Sequence, residues 1–146
     1  MVSPVALGTM MFGSAGNPDR DECVRLIHRA LDHGINFLDT ADMYSAGESE
    51  EIVGAALQGR RDEVILATKG HFALAEGPNR SGNSRRYLTR ALEASLRRLE
   101  TDYIDLYQVH RPGYSPQSAS LGLPWLTDAT RRRSPRPRPP AGGAGQ

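Results

Sequence analysis

Apolar residues along the first 110 positions follow two alternating patterns, and this alternation predicts the fold class. Short, nearly continuous apolar runs cover residues 5–11, 35–41, 64–69 and 103–110. Runs of that length, bounded by turn residues, are typical of strands buried on both faces of a parallel sheet. The three segments between them have helical spacing. The predicted order is therefore β-α-β-α-β-α-β.

The first helical segment repeats apolar residues at i, i+3, i+4, i+7 and i+8, which is the pattern of one buried helix face. We expect the helix to open at Pro18-Asp19, with Asn17 as its cap, and to end at Gly34. The face that this spacing predicts to be buried consists of Cys23, Leu26, Ile27, Ala30 and Leu31.

The second and third helical segments are bounded in a similar way. The second is expected to start at Ser49 and to end at Gly59, and the third to start after Ser84 as its cap. The apolar stripe of the third helix consists of Leu88, Ala91, Leu92, Leu96 and Leu99. Its opposite face is charged and predicts a solvated surface.

Helices joining parallel strands imply right-handed crossovers, so four such units fit either half of an eight-stranded barrel or a small doubly wound sheet. The positions of the polar residues favour the barrel. Asp39, Lys69 and His110 stand at the ends of the second, third and fourth predicted strands. In a barrel these ends share one rim, where the chemistry of such folds lies. The prediction is an α/β fold of the (β/α)8 TIM-barrel type, with about the first four β/α units present.

The composition changes abruptly after Pro112. Residues 111–146 carry seven of the ten prolines and no Val, Ile, Phe or Met. We therefore predict that residues 1–112 form the half barrel and that residues 113–146 form a Pro/Arg/Gly-rich disordered tail. Translation of a shifted reading frame would produce such a segment. A functional basic tail that binds nucleic acid or an anionic membrane is the alternative, but it lacks interleaved aromatic residues.

The charge divides along the same boundary. Residues 1–110 hold 12 basic and 16 acidic residues, whereas residues 111–146 hold six arginines and one aspartate. The single cysteine, Cys23, excludes an internal disulfide and suits a reducing compartment. No apolar run is long enough to span a membrane, and no signal-peptide core is present. We expect a cytoplasmic protein with neither a nucleic-acid nor a membrane partner, and with no metal site.

Lysine usage singles out one position. Of the 18 basic residues, 17 are arginine, and Lys69 is the only lysine. A guanidinium is planar and permanently charged, whereas a lysine ammonium is compact and its acidity responds to its surroundings. A solvated lysine at a strand end is the alternative interpretation. The place of Lys69 at the predicted rim favours the interpretation that the site requires an ammonium.

Four side chains at this rim could together deliver a proton to a carbonyl oxygen. An ammonium beside a phenol makes the phenol a stronger acid, and a carboxylate beside the ammonium keeps it charged and oriented. An imidazole can hydrogen-bond a carbonyl or relay a proton. Tyr44, Lys69, Asp39 and His110 supply these four groups. Such a site also needs a hydride donor, for which a nicotinamide is the usual choice.

Each of these side chains also has a structural interpretation when it is taken alone. Asp39 could cap the following turn, Tyr44 could pack, and His110 could be a satisfied strand-end residue. Asp105 has the opposite strand parity to His110, so we expect it to make a structural hydrogen bond. The chain has no P-loop and no GxGxxG motif, so a Rossmann site is not supported.

Several separate motifs resemble the aldo-keto reductases, in the order of that family. They are LGTMMFG at residues 7–13, GINFLDTADMY at 34–44, GESEEIVGAAL at 47–57, LATKG at 66–70 and SLRRLETDYIDLYQVH at 95–110. The second and third are more similar to the bacterial and potassium-channel β-subunit branch than to the aldose reductases.

The resemblance implies a (β/α)8 barrel that reduces aldehydes or ketones with NADP(H). By matching position, Tyr44 would be the general acid. Lys69 would be the ammonium that makes Tyr44 a stronger acid, and Asp39 would be the charge that orients Lys69. His110 would orient the carbonyl. In addition to Asp39, the resemblance implies that Gly8, Thr9 and Met10 bind the cofactor.

Two departures from the family limit this implication. No β-hairpin precedes the first strand, and nothing after Pro112 resembles the segment that would supply four further strands and most of the cofactor-binding loops. We therefore expect weak cofactor binding, and possible self-association through the open edges of the first and fourth strands. An inactive truncated fragment and a non-enzymatic interaction protein that reuses the fold are the alternatives.

Overall fold

The computed structural model describes residues 1–111, and these residues follow the predicted alternation of strands and helices. The predicted tail, residues 113–146, lies outside the described residues. No helix within residues 1–111 is long and apolar enough to cross a membrane. The elements are β1 (Ala6–Gly8), α1 (Arg20–Asp32), β2 (Phe37–Asp39), α2 (Glu48–Ala56), β3 (Ile65–Gly70), α3 (Arg85–Arg98) and β4 (Leu106–Val109).

The four strands form one parallel sheet in the order β1-β2-β3-β4. Each strand lies next to its successor along the chain, so the described part has no reversal of strand order such as a doubly wound sheet contains. The register places Gly8 opposite Asp39 and Lys69 opposite Gln108. The carboxyl ends of the strands therefore meet at one rim, as the barrel prediction requires.

The hydrophobic core lies between the sheet and the three helices, and its largest fully buried apolar side chains include Leu38, Leu66, Leu88 and Leu92. The buried face of α1 is narrower than predicted. Cys23, Ile27 and Leu31 are buried, but Leu26 is 42% exposed and its predicted burial was wrong.

The starts of α1 and α3 test the predicted caps. Ser84 caps α3 as expected, because its side chain accepts a hydrogen bond from the Tyr87 N–H. For α1 the prediction was wrong by two residues. The cap is Asp19, whose Oδ1 accepts from the Glu22 N–H at 2.9 Å. The Asn17 Oδ1 instead accepts from the Asp19 N–H, so Asn17 orders the turn before the helix.

Three of the four strands, β1, β2 and β4, are shorter than the apolar runs that predicted them. For β4 the physical reason is visible at Asp105. Its Oδ2 accepts the Leu66 N–H at 2.9 Å, and it also receives a hydrogen bond from Arg61. A side chain thus takes a donor that a neighbouring strand would use, and β4 begins only at Leu106. The predicted structural hydrogen bond of Asp105 is confirmed.

The two outer strands leave apolar side chains in contact with solvent. Val5, which precedes β1, is 58% exposed, and Leu106 at the start of β4 is 43% exposed. Neither β1 nor β4 has a second neighbouring strand within residues 1–111. In a closed barrel each of these edges would be paired.

Candidate active site

Lys69 brings three of the predicted site residues into direct contact at the end of β3. Its Nζ lies 2.6 Å from Asp39 Oδ2, 2.9 Å from the Thr40 carbonyl oxygen and 3.3 Å from the Tyr44 hydroxyl oxygen. Asp39 ends β2, and Tyr44 begins the turn that follows. The side chain of Lys69 is only 15% exposed and that of Asp39 is 30% exposed. The ion pair is therefore largely shielded from solvent.

The hydrogen-bond inventory of Lys69 fixes the direction of its bond to Tyr44. An ammonium has three N–H donors and no acceptor. Asp39 and Thr40 take two of them, so the third is available for the Tyr44 oxygen. Because the phenol oxygen accepts, its own O–H is left to donate elsewhere. This arrangement suits a phenol that gives its proton to a bound molecule.

The backbone that carries Tyr44 is held in an uncommon conformation. Ser45 and Ala46 have φ of 49° and 56°, in the left-handed region that non-glycine residues rarely adopt. The Ser45 hydroxyl donates to the Phe12 carbonyl at 2.8 Å and accepts from the Ala15 N–H at 3.2 Å. These two bonds tie the turn to the loop after β1. Backbone strain of this kind tends to occur at functional sites.

His110 follows β4 and faces the same cleft. Its ring centroid lies 5.8 Å from that of Tyr44 and 5.1 Å from that of Phe72, with edge-to-face geometry in both pairs. Burial lowers the pKa of His110, and the neighbouring Lys69 ammonium lowers it further. The imidazole is therefore neutral at neutral pH and keeps one N–H. Its Nδ1 is buried without a hydrogen-bond partner within the described residues.

The cleft beside Tyr44 and His110 is open and largely apolar. Its wall includes Met10, Met43 and Phe72. Phe72 lies under the guanidinium of Arg111, which is 5.6 Å from the ring centroid. A flat apolar body fits against such a wall while a polar oxygen reaches the phenol and the imidazole. The polar side chains that line this cleft include two of the predicted proton-handling residues, Tyr44 and His110.

The structure separates the three residues of the first strand end that were predicted to bind a cofactor. Met10 lines the cleft. A Cβ added at Gly8 would meet nothing within 4 Å, so space is open beside Asp39, its register partner. Thr9, in contrast, is fully buried. Its hydroxyl oxygen lies 2.9 Å from Ser49 Oγ and 3.3 Å from the Asp39 carbonyl oxygen, so this side chain does not face the cleft.

The motif-based prediction missed two polar residues close to the site. Gln108 donates from Nε2 to Asp39 Oδ1 at 3.4 Å. It is uncharged and belongs to no pattern of titratable groups, although it shares strand parity with His110. Asp42 is fully buried, and neither carboxylate oxygen has a partner within residues 1–111. Burial and the neighbouring Glu50 raise the pKa of Asp42 to about 7.

Glu50 differs from Asp42 in being fully paired. It is also fully buried, yet its Oε2 accepts from Arg98 at 2.7 Å and its Oε1 accepts from the Thr68 hydroxyl. These contacts lie on the helix-facing side of the sheet, away from Lys69. No group of three or more His, Cys, Asp or Glu side chains in residues 1–111 could hold a metal ion.

Comparison with known proteins identifies the family in which this arrangement of strands occurs. The model of the aldo/keto reductase family matches residues 4–124. An aldo-keto reductase of Bacillus subtilis, YhdN, is 45% identical over 114 residues, which cover 75% of this chain and 34% of that protein. A probable voltage-gated potassium channel subunit beta of Arabidopsis thaliana is 37% identical over 120 residues, covering 77% of this chain and 36% of that protein.

Solved structures agree with these sequence relatives. The holo form of an aldo-keto reductase from Bacillus halodurans matches with a TM-score of 0.64 and 44% identity, over 74% of this chain and 36% of that one. An aldo/keto reductase from Klebsiella pneumoniae, in complex with NADP and acetate, matches with a TM-score of 0.71 and 35% identity, over 89% of this chain and 43% of that one.

The fold thus defines part of a (β/α)8 barrel, in which the predicted site residues lie at the carboxyl ends of the strands. The chain belongs to the aldo/keto reductase family. It spans about 34 to 36% of the length of the curated relatives named above. The family match ends at residue 124, whereas the motifs end near Pro112. The predicted domain boundary therefore stays a prediction.

Proposed function

We propose that this chain carries the proton-delivering half of an NADPH-dependent reductase of aldehydes or ketones. The observation that supports this function best is the set of three hydrogen bonds made by Lys69. They place an ammonium against the oxygen of Tyr44 and leave the phenolic proton free. A carbonyl oxygen that gains negative charge during reduction needs a proton from such a donor.

The geometry supports the following proposed roles. Tyr44 gives its proton to the carbonyl oxygen, and the phenolate that results is stabilised by the adjacent Lys69 ammonium. Asp39 keeps that ammonium oriented through the 2.6 Å ion pair. The neutral His110 donates its N–H to the carbonyl oxygen and so fixes the substrate against Tyr44. A proton from solvent restores Tyr44 after the alcohol leaves.

When the cofactor is bound, it would supply the hydride that is added to the carbonyl carbon. The open space at Gly8 and the wall at Met10 fit a flat ring beside Asp39. The bound NADP of the Klebsiella relative supports the choice of nucleotide. A role for Thr9 in this contact is limited to its backbone, because its side chain is buried among other partners.

The decisive experiment follows NADPH oxidation by the purified chain in the presence of an aromatic or apolar aldehyde. Tyr44→Phe should lower the rate about 100-fold or more, because positioned general acids contribute factors of that order. Tyr103→Phe is the matched control, since the hydroxyl of Tyr103 donates to Asp62, outside the cleft. Equal rates for the wild type and Tyr44→Phe would exclude Tyr44 as the proton donor.

The same assay separates the two alternatives. A truncated fragment without turnover would show no carbonyl-dependent oxidation. A non-enzymatic interaction protein would instead retain a stable protein partner, and the similarity to a channel subunit favours it. The predicted cytoplasmic location also remains a prediction.

A further inference from the structure

We propose that Gln108 is a positioning residue that fixes the carboxylate of Asp39 and, through it, the ammonium of Lys69. The two oxygens of Asp39 have different partners. Oδ2 accepts from Lys69 at 2.6 Å, and Oδ1 accepts from Gln108 Nε2 at 3.4 Å. Gln108 thus holds the side of the carboxylate that Lys69 does not reach. The kinetic part of this proposal rests on the proposed carbonyl reduction.

The strand register directs Gln108 to this position. Lys69 and Gln108 are direct partners across β3 and β4. Successive residues of a strand point to opposite faces, so Gln108 shares the cleft face with His110, while Tyr107 points the other way. The hydroxyl of Tyr107 accordingly donates to the Leu88 carbonyl oxygen in the helix layer. The strand register therefore directs the side-chain amide of Gln108 towards the carboxylate of Asp39.

A neutral donor suits this position for an electrostatic reason. The Asp39 side chain is 30% exposed, so water competes for any oxygen that the protein does not hold, and a carboxylate held at one oxygen can turn. A second cation would compete with Lys69 for Asp39, and a second anion would repel Asp39. An amide N–H restrains the carboxylate without changing the charge of the site.

The single lysine allows a direct measurement on the protein without turnover. Protein labelled with ¹⁵N-lysine gives one Nζ signal, because Lys69 is the only lysine in the sequence. Gln108→Met keeps the length of the side chain and removes the donor. We expect the Lys69 ammonium protons to exchange with water about threefold faster, as loss of one weak hydrogen bond predicts. Gln108→Leu, with a different shape, should give the same result.

Gln58→Met is the matched control for the substitution itself. The Gln58 side chain donates to Glu100 Oε2 at 3.0 Å and lines a different cleft from that of Tyr44. It should leave the Lys69 signal unchanged. If Gln108→Met behaves like Gln58→Met in this measurement, the positioning role of Gln108 is wrong.

A double-mutant cycle with Asp39→Asn distinguishes positioning from general packing. If Gln108 acts through the carboxylate, Gln108→Met should have no further effect on Lys69 exchange in the Asp39→Asn background. An unchanged effect in that background would show a packing role and overturn the proposal.

The kinetic arm tests the link to carbonyl reduction separately. In an active protein, Gln108→Met should lower kcat about threefold with KM unchanged. Faster Lys69 exchange in a chain that reduces no carbonyl would contradict the proposed function and leave the role of Gln108 intact. Unchanged exchange in a chain that does reduce carbonyls would contradict the role of Gln108 alone.

Discussion

The buried carboxyl of Asp42 allows a quantitative prediction of how the free energy of unfolding depends on pH. Burial raises the pKa of its carboxyl from 3.8 to about 7; Glu50 adds repulsion, and Arg98 opposes the shift. Tyr87 and Tyr107 lie close to it on α3 and β4; burial raises the pKa of both phenols, and the charge of Asp42 raises it further. Between these two pH values the folded protein keeps a proton that the unfolded chain has lost. Stability should therefore fall as the pH rises from 3.8 to about 7.

The size of this effect follows from linkage. Each pH unit in that interval costs about 1.4 kcal/mol of unfolding free energy. From about pH 5 to about pH 8 the loss amounts to about 2.5 kcal/mol. Asp42→Asn removes the titrating group and keeps the shape of the side chain. The variant should thus gain about 2.5 kcal/mol relative to the wild type between those two pH values, whatever constant cost the buried amide adds.

The assay is urea unfolding of both proteins at the two pH values, with Asp102→Asn as the control. Asp102 is exposed, so its substitution should give the same difference from wild type at both pH values. The reasoning fails if the stability difference between Asp42→Asn and wild type does not change with pH. That result would mean that the carboxyl of Asp42 finds a partner or solvent in the folded protein.

Two further predictions concern packing and assembly. Gly54→Ala should destabilise the fold by about 1 to 3 kcal/mol in urea unfolding, because its Cβ would lie 2.7 Å from the Arg98 carbonyl oxygen and 2.8 Å from that of Leu99. Gly8→Ala is its control, since that Cβ meets nothing within 4 Å, and equal stability of the two variants would contradict the clash. The exposed apolar residues beside β1 and β4 predict self-association, so light scattering should give a mass that rises above 15.9 kDa with concentration. A mass of 15.9 kDa at every concentration would contradict it.

The sequence predicted those parts of the fold that depend on strong local signals. The order of elements followed from apolar periodicity, and the start of α3 followed from its capping residue. Ser84 was correct, and its hydroxyl oxygen accepts from the Tyr87 N–H. At α1 the prediction named Asn17 and did not use the D-x-x-E spacing of Asp19 and Glu22, which is typical of the observed cap. The exposure of Leu26 depends on which neighbours cover α1, which local spacing does not encode.

The candidate site shows the same limit. Charged groups at strand ends pointed to the residues around Lys69, because few other roles need an ammonium, a carboxylate and a phenol at one rim. Gln108 escaped notice because only the register between β3 and β4 reveals its neighbour. Asp42 belongs to the same motif as Asp39, but its burial without a hydrogen-bond partner in residues 1–111 depends on how α2 and α3 pack. Such features arise from tertiary contacts.

Because the strands of the sheet follow one another in chain order, the residues of the proposed site also lie on one stretch of the sequence. Every proposed proton-handling side chain lies between Asp39 and His110, on one continuous stretch of chain whose last strand, β4, has one unpaired edge within residues 1–111. The remaining strands of a closed barrel would meet this piece only at the outer sides of β1 and β4. A second polypeptide that supplied those strands would therefore pair with this piece along these two edges. In such a reassembled barrel the acid–base function would be inherited from this chain, and selectivity would be set largely by the other.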